Sequence, residues 1–289
     1  MPNLELSRKS DLSSFRRIAL GTWGTTRDPQ VYGSVTLRMD EALRYIDAFR
    51  GARGKKLTVT HMMAKAVGHV LAAMPEANAI IRFGHLYLRK DIGVFFQVAM
   101  VDEETQQVDL SGVTVRDPEQ KSLETIADEF IAQAEKVRAR KDQEFENTRS
   151  MFKRMPQWFV RRVLDAVSLL SYTFNLDLRW AGIPRDPFGS AMVTNIGSLG
   201  LEEAYVPLVP YSRVPLLIAL GAVQDAPVVE DGEIVVGKTM RVFATFDHRV
   251  LDGAHASKMV RVLKEYMEHP FERFDAVEAL DPPAPAADV

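Results

Sequence analysis

A mixed α/β architecture follows from three features of the 289-residue sequence. Short β-rich runs succeed one another between residues 79 and 115 (AIIRF, HLYLR, IGVFFQVAMV, QQVDLSGVTV), which predicts neighbouring strands of a mixed sheet. Around them, apolar residues recur at helical spacing, so helices are expected to pack on that sheet. One run, VPLLIALGAV over 214–223, is apolar almost throughout, as a strand buried at the centre of a sheet should be.

Taken in order, residues 1–30 are polar, and SSFRRIAL predicts a helix start with Ser13 or Ser14 as N-cap. Tyr32–Leu37 reads as a strand, and Asp40 is expected to cap a helix with Ala42, Ile46 and Phe49 on one face. A basic turn, GARGKK, leads to a helix over Thr58–Met74 that stops at Pro75. His61 and His69 lie on it at a separation that matches no metal-ligand spacing, so both are read as core or surface residues and no metal is expected. Ser122–Lys141 is a clear amphipathic helix carrying Leu123, Ile126, Phe130, Ile131, Ala134 and Val137. In the following stretch Trp158, Phe159, Val163, Leu164, Val167 and Leu170 again recur at helical spacing, with Lys153, Arg154, Arg161 and Arg162 on a basic side. Packing on its own domain or on a neighbouring subunit is the favoured reading; membrane contact through 151–176 ranks behind it.

SAMVTNIGSLG (190–200) predicts a strand running into a Gly-rich turn. A hairpin over Pro227–Gly237 is expected to turn at Asp231-Gly232, and a strand over 238–246 follows. Gly253–Tyr266 reads as a helix with Met259, Val260, Leu263 and Met267 inward, while His255 and His269 look solvated. Residues 276–289 read as a loose tail rich in Pro and Ala.

Composition narrows the function. With 46% hydrophobic and 26% charged residues the chain is ordinary for a soluble globular protein. A net charge of −3 argues against nucleic acid as a partner. The absence of cysteine removes disulfides, thiolate metal ligands and thiol nucleophiles, so thiol chemistry has to come from a substrate. Neither a signal peptide nor a run of ~18 apolar residues is visible, which predicts a cytoplasmic protein.

The chemistry concentrates in RVFATFDHRVLDGA, residues 241–254. His248 stands where a strand ends and a loop begins, so a rigid sheet can present an imidazole able to take a proton near pH 7. Asp252 can fix the turn through backbone or an arginine, and Gly253 permits a tight backbone path.

DHRVLDGA resembles the signature of the dihydrolipoyl acyltransferases, the catalytic cores of 2-oxoacid dehydrogenase complexes, which share a chloramphenicol acetyltransferase-like fold of sheet and packed helices. The SSFRRIA opening, the PEANAII end of the 58–74 helix and SAMVTNIGSLG resemble other motifs of that family, in order, with Thr194 and His248 54 residues apart. Gly112 stands near the place of a family proline. The resemblance runs from about Ser13 to Pro270. It implies one catalytic domain over 1–275 with a helical insertion at about 142–189, and a core standing alone, without lipoyl or subunit-binding domains.

By the same resemblance His248 is the general base, Thr194 takes the place of the family's oxyanion-donating serine, and Arg16 is the candidate partner of Asp252, with neighbouring Arg17 as the alternative. Asn195, Ser198 and Gly253 are supporting candidates. The implied reaction moves an acyl group between coenzyme A and a dihydrolipoamide-like thiol, with any lipoyl group supplied by another protein. The implied assembly is a homotrimer or higher homo-oligomer with sites between subunits. The threonine, the insertion and the missing carrier domains leave a second reading open, an inactive acyltransferase-like scaffold or a membrane- or partner-binding protein. Retention of His248, Asp252 and Gly253 together favours the enzyme.

Overall fold

A computed structural model describes residues 2–9, 29–101, 108–138 and 156–277. Nine strands and six α-helices are placed among these residues: β1 (Leu6–Arg8), β2 (Gln30–Arg38), α1 (Asp40–Arg53), α2 (Val59–Ala73), β3 (Ala79–Arg82), β4 (His85–Arg89), β5 (Gly93–Val101), β6 (Val108–Arg116), α3 (Leu123–Arg138), α4 (Gln157–Ser168), β7 (Ala191–Asn195), β8 (Leu216–Glu230), β9 (Glu233–Asp247), α5 (Gly253–Glu268) and α6 (Pro270–Arg273). Six strands form the main sheet in the order β2-β9-β8-β7-β5-β6, and β1-β4-β3 form a small antiparallel sheet beside it. The main sheet is mixed: β7 runs parallel to both β5 and β8, and the other pairs are antiparallel.

β8 sits between β9 and β7, and every residue from Leu216 to Gly221 is buried, which accounts for the uninterrupted apolar run. Its outer half pairs with β9 in a long hairpin that turns at Asp231 and Gly232, both with positive φ (49° and 88°), the geometry of a type I′ turn. The pairing of β2 with β9 stops at Thr239, so the hairpin projects past the sheet edge and leaves Val229, Ile234 and Val236 exposed.

α2 crosses the middle of the domain. Thr58 caps it by accepting from the His61 amide, and ten of its residues are buried, including Met62, Met63, Val67 and Leu71. α3 begins at Ser122, whose hydroxyl accepts from the Thr125 amide, and it buries Leu123, Ile126, Ala127, Ala134 and Val137. Asp40 is not the cap of α1. The cap position belongs to buried Met39, whose amide bonds to the Lys238 carbonyl, while the Asp40 carboxylate accepts from the Lys238 amide at 3.0 Å and from Arg38. The helix start is thus tied to a strand 198 residues away in sequence rather than closed on itself.

α4 departs from a simple amphipathic helix. After Ser168 the chain takes a π-turn over Leu169–Thr173, closed by the Phe174 amide on the Leu169 carbonyl, and the extra residue rotates the face that follows. Tyr172 turns inward against Leu4 and Ile80, with Ser168 and Ser171 also buried, whereas Phe159, Leu169 and Leu170 stay exposed. Of the apolar stripe, Val163, Leu164 and Val167 are half-buried, so the segment packs on its own domain partly through that stripe and partly through Ser168, Ser171 and Tyr172. The expected Ser13–Ser14 helix start, Arg16, residues 142–155 and the tail beyond 277 lie outside the described residues.

Candidate functional site

β9 delivers His248 one residue past its last strand position. The loop is fixed by backbone bonds: the His248 amide donates to Pro29 O at 2.8 Å, and the Val250 and Leu251 amides both donate to Asp247 O at 2.9 Å. Asp247 and Arg249, on either side of the histidine in sequence, pair with each other across the turn. The Arg249 guanidinium forks onto the Asp247 carboxylate at 2.6–3.1 Å, with the two side chains only 9% and 3% exposed. This pair braces the loop from below. Sequence reasoning passed over it, although an Asp-His-Arg triplet at a strand end carries the signal.

His248 is half-buried and its Nδ1 lies 2.8 Å from the Leu251 carbonyl oxygen. A carbonyl only accepts, so Nδ1 holds the proton and Nε2 of the neutral ring carries the lone pair. Asp252 caps α5, accepting from the Ala254 and His255 amides at 3.0 and 3.1 Å, and its Oδ1 lies 2.6 Å from His255 Nδ1. His255 is therefore engaged with the cap rather than simply solvated. Gly253 has no positive φ, and a Cβ placed on it would meet nothing within 4 Å. The tight path expected of it is not required, because the bend is made by the Asp252 cap.

The second cluster sits at the C-terminal end of β7. Thr194 pairs with Ala219 of β8, is half-buried, and its hydroxyl makes no hydrogen bond among the described residues. Asn195 and Ser198 are occupied in shaping the turn. Asn195 Nδ2 donates to Thr60 Oγ1 at 3.0 Å, its Oδ1 accepts from the Ser198 amide, and the Ser198 hydroxyl donates to the Asn195 carbonyl at 2.7 Å. Gly197 lets this turn lie against β8, where a Cβ would fall 2.6 Å from the Gly221 and Ala222 backbone. There β8 has a bulge, and its freed Ala222 amide donates to Leu201 O.

The two clusters do not meet within one chain. Thr194 is in register with Ala219 and through it with Phe243, four residues before the end of β9. At about 3.3 Å per residue and 4.8 Å per strand, the two strand steps and five residues to His248 put it about 19 Å from Thr194. Of the remaining histidines, His61 is buried against Phe130, and burial, aided by Lys56, pushes its pKa down to about 4. His69 stacks on Tyr266 at 4.4 Å, and burial with nearby Lys65 lowers it too. Among the described residues no cluster of His, Asp and Glu is arranged to hold a metal ion, and no helix is long and apolar enough to cross a membrane. Gly112, near the place of a family proline, lies under the ring of Phe95, which leaves no room there for a larger residue.

The sequence matches the model of the 2-oxoacid dehydrogenases acyltransferase (catalytic domain) family over residues 17–153 and 188–274. It is 24% identical over 217 residues to the dihydrolipoyllysine-residue acetyltransferase component of the acetoin cleaving system of Bacillus subtilis, covering 75% of this chain and 43% of that protein. It is 25% identical over 254 residues to the corresponding component of the pyruvate dehydrogenase complex of Rhizobium meliloti, covering 84% of this chain and 45% of that protein. The chain thus spans less than half the length of these curated relatives. Its fold is that of a probable dihydrolipoamide acetyltransferase from Listeria monocytogenes (TM-score 0.63, 18% identity, 94% of this chain and 99% of that one). It is also that of the dihydrolipoamide acetyltransferase of Azotobacter vinelandii (TM-score 0.62, 18% identity, 90% and 88%), a structure from work on the roles of a serine, a histidine and an asparagine in that enzyme's catalytic mechanism. With more than half of its length matched, the chain belongs to the 2-oxoacid dehydrogenase acyltransferase catalytic-domain family.

Proposed function

We propose that the chain transfers an acyl group between coenzyme A and a dihydrolipoamide-like thiol, at a site built from two copies of the chain. The observation that carries this reading is the bond from His248 Nδ1 to the Leu251 carbonyl, which leaves Nε2 as a fixed base at the end of a rigid strand. In the direction of thioester formation on coenzyme A, Nε2 takes the proton of the coenzyme A thiol as its sulfur attacks the acyl carbonyl. The tetrahedral oxyanion accepts a hydrogen bond from Thr194. Collapse breaks the bond to the dihydrolipoyl sulfur, which takes the proton from the imidazolium. Atoms and charges balance without an acyl-enzyme. Asp252, with Arg16 as its candidate partner, keeps the loop after the histidine in place.

The separation of the two clusters supports the assembly. A hydroxyl and an imidazole on backbones about 19 Å apart cannot serve one carbonyl, so Thr194 of one protomer acts with His248 of the next, in a homotrimer or larger homo-oligomer. The projecting β8–β9 hairpin, with Val229, Ile234 and Val236 exposed, offers apolar surface for such contacts. Lipoyl groups reach the site on another polypeptide or another segment.

The test is thiol release from acetyl-, propionyl- and longer acyl-coenzyme A with dihydrolipoamide as acceptor. His248→Ala is expected to lose about 10²–10⁴-fold in turnover and Thr194→Ala about 10²–10³-fold, while Thr194→Ser keeps its donor and most of the rate. Co-expressed His248→Ala and Thr194→Ala chains should regain activity, because mixed oligomers pair an intact histidine with an intact threonine. Failure to regain it, with both chains folded and mixed, overturns the shared site. An absence of turnover with every donor overturns the enzyme and returns the chain to the scaffold reading.

A further inference from the structure

Between α5 and the sheet lies an apolar cavity of about 360 Å³, open at one side next to β2. Its floor is the sheet (Ile218, Val242), its wall is α2 (Val67, Val70) and its roof is α5 (Ala256, Met259). No charged side chain lines it. The volume falls within the roughly 300–1,000 Å³ of small-molecule sites.

The cavity exists because small residues stand where α5 crosses β2 and β9. Gly33 and Gly253 have ordinary negative φ, and a Cβ on either would meet nothing within 4 Å, so neither backbone geometry nor packing demands glycine there. Ala244 and Ala256 complete the gap. The N-terminal half of α5 consequently stands off the sheet, and only Leu263 and Met267, further along, are buried.

The cavity is continuous with the reactive loop. Leu251, whose carbonyl orients His248, lines it, as does Phe246, two residues before the histidine. From Phe246 to Val242 the floor extends four residues, about 13 Å at 3.3 Å per residue. We infer that this cavity holds the hydrocarbon tail of the acyl group, and that the chain takes medium-length acyl chains in preference to acetyl. This rests on the acyltransferase reading. An uncharged, open-ended slot that adjoins the loop carrying the base fits a linear alkyl chain, each buried methylene of which tightens binding roughly fourfold, and gives an acetyl group nothing to fill it with.

Binding is measured first, on the full chain, by calorimetry with octanoyl-coenzyme A, acetyl-coenzyme A and coenzyme A. Octanoyl-coenzyme A is expected to bind at least tenfold more tightly than acetyl-coenzyme A. Ala244→Leu and Ala256→Leu, which fill the cavity, should each reduce that ratio by tenfold or more, and unfolding midpoints show whether each variant is folded. A readout free of these substitutions uses the natural lack of cysteine. In Ser257→Cys the sole thiol stands at the exposed edge of the cavity, and octanoyl-coenzyme A should slow its alkylation at least tenfold where coenzyme A does not. Equal binding of the two acyl donors, or an unchanged ratio in both folded leucine variants, overturns the inference. Turnover separates this from the parent reading. Acetyl transfer without chain-length preference leaves the enzyme and removes the pocket, whereas chain-length-dependent binding without turnover keeps the pocket and removes the enzyme.

Discussion

α3 and α4 are both amphipathic helices, and they meet opposite fates. The apolar stripe of α3 is buried on the sheet and on α2 through Leu123, Ile126 and Ala134. In the α4 segment Phe159, Leu169 and Leu170 remain 41%, 45% and 38% exposed, Val163, Leu164 and Val167 are only half-buried, and the deepest anchoring falls to Tyr172 within the π-turn and to Asp186 at the far end. α3 lies within the region matched by the family, and α4 within the unmatched residues 154–187. Periodicity identifies an apolar face; it does not say whether that face meets the chain's own core.

The sharpest break of this contrast comes at Asp186, which makes the unmatched segment matter to the core. Its carboxylate takes Arg89 Nη1 at 2.7 Å and Arg116 Nη1 at 3.0 Å, with Arg89 and Asp186 side chains 3% and 7% exposed. Burial alone would raise its pKa; Arg89 and Arg116 outweigh burial and hold it below the usual carboxylate range. Asp186→Ala leaves Arg89 buried without its counter-charge and should cost about 3–5 kcal/mol in urea denaturation. Because the folded-state pKa is the lower one, this stabilisation is present above the unfolded carboxylate pKa near 4 and is lost as pH falls below it. A loss under 1 kcal/mol would make the segment an appendage.

Ile126→Ala probes the buried stripe of α3. Ile126 is fully buried in the main core, so removing its branched side chain should cost about 2–5 kcal/mol. The two helices can also be told apart by pH. His61, packed on Phe130 of α3, has a pKa of about 4, lowered chiefly by burial, and its Nδ1 has no hydrogen-bond partner. Between the unfolded value near 6.5 and about 4, the unfolded chain binds the extra proton, so stability falls as pH drops through that window, by up to about 3 kcal/mol. His61→Phe should flatten this part of the stability–pH curve and leave the Asp186 window below pH 4 intact.

The elements that sequence reasoning placed well are those whose signal is local. The 58–74 helix stopping before Pro75, the Asp231-Gly232 turn and the uniform run at 214–223 each carry their cause within a few residues. What escaped it depends on distant partners. β1 is three residues of unremarkable composition that become a strand only by pairing with β4. Asp40 looks like a cap, yet its carboxylate serves Lys238. His248, Thr194 and Asp252 were legible as motif residues. The resemblance implied a site shared between subunits; the placement of His248 and Thr194 at opposite ends of the sheet was legible only in topology, and the Asp247–Arg249 brace only in the fold of the loop.

The smallest effect is expected on the exposed stripe itself. In a single chain Leu170, at the exposed end of that stripe, has little left to lose, so Leu170→Ser should change stability by no more than about 0.5 kcal/mol. The measurement becomes decisive when repeated across protein concentration. A stripe covered by a neighbouring subunit contributes through association, so its loss grows with concentration and reaches the size expected of a buried leucine once the wild type is assembled. A small, concentration-independent change keeps α4 a surface helix, different in kind from α3. A loss that rises with concentration toward that of Ile126→Ala would mean that the two helices obey one rule, each burying its apolar face, and that the sequence pattern was right about burial while leaving open which chain supplies the other side.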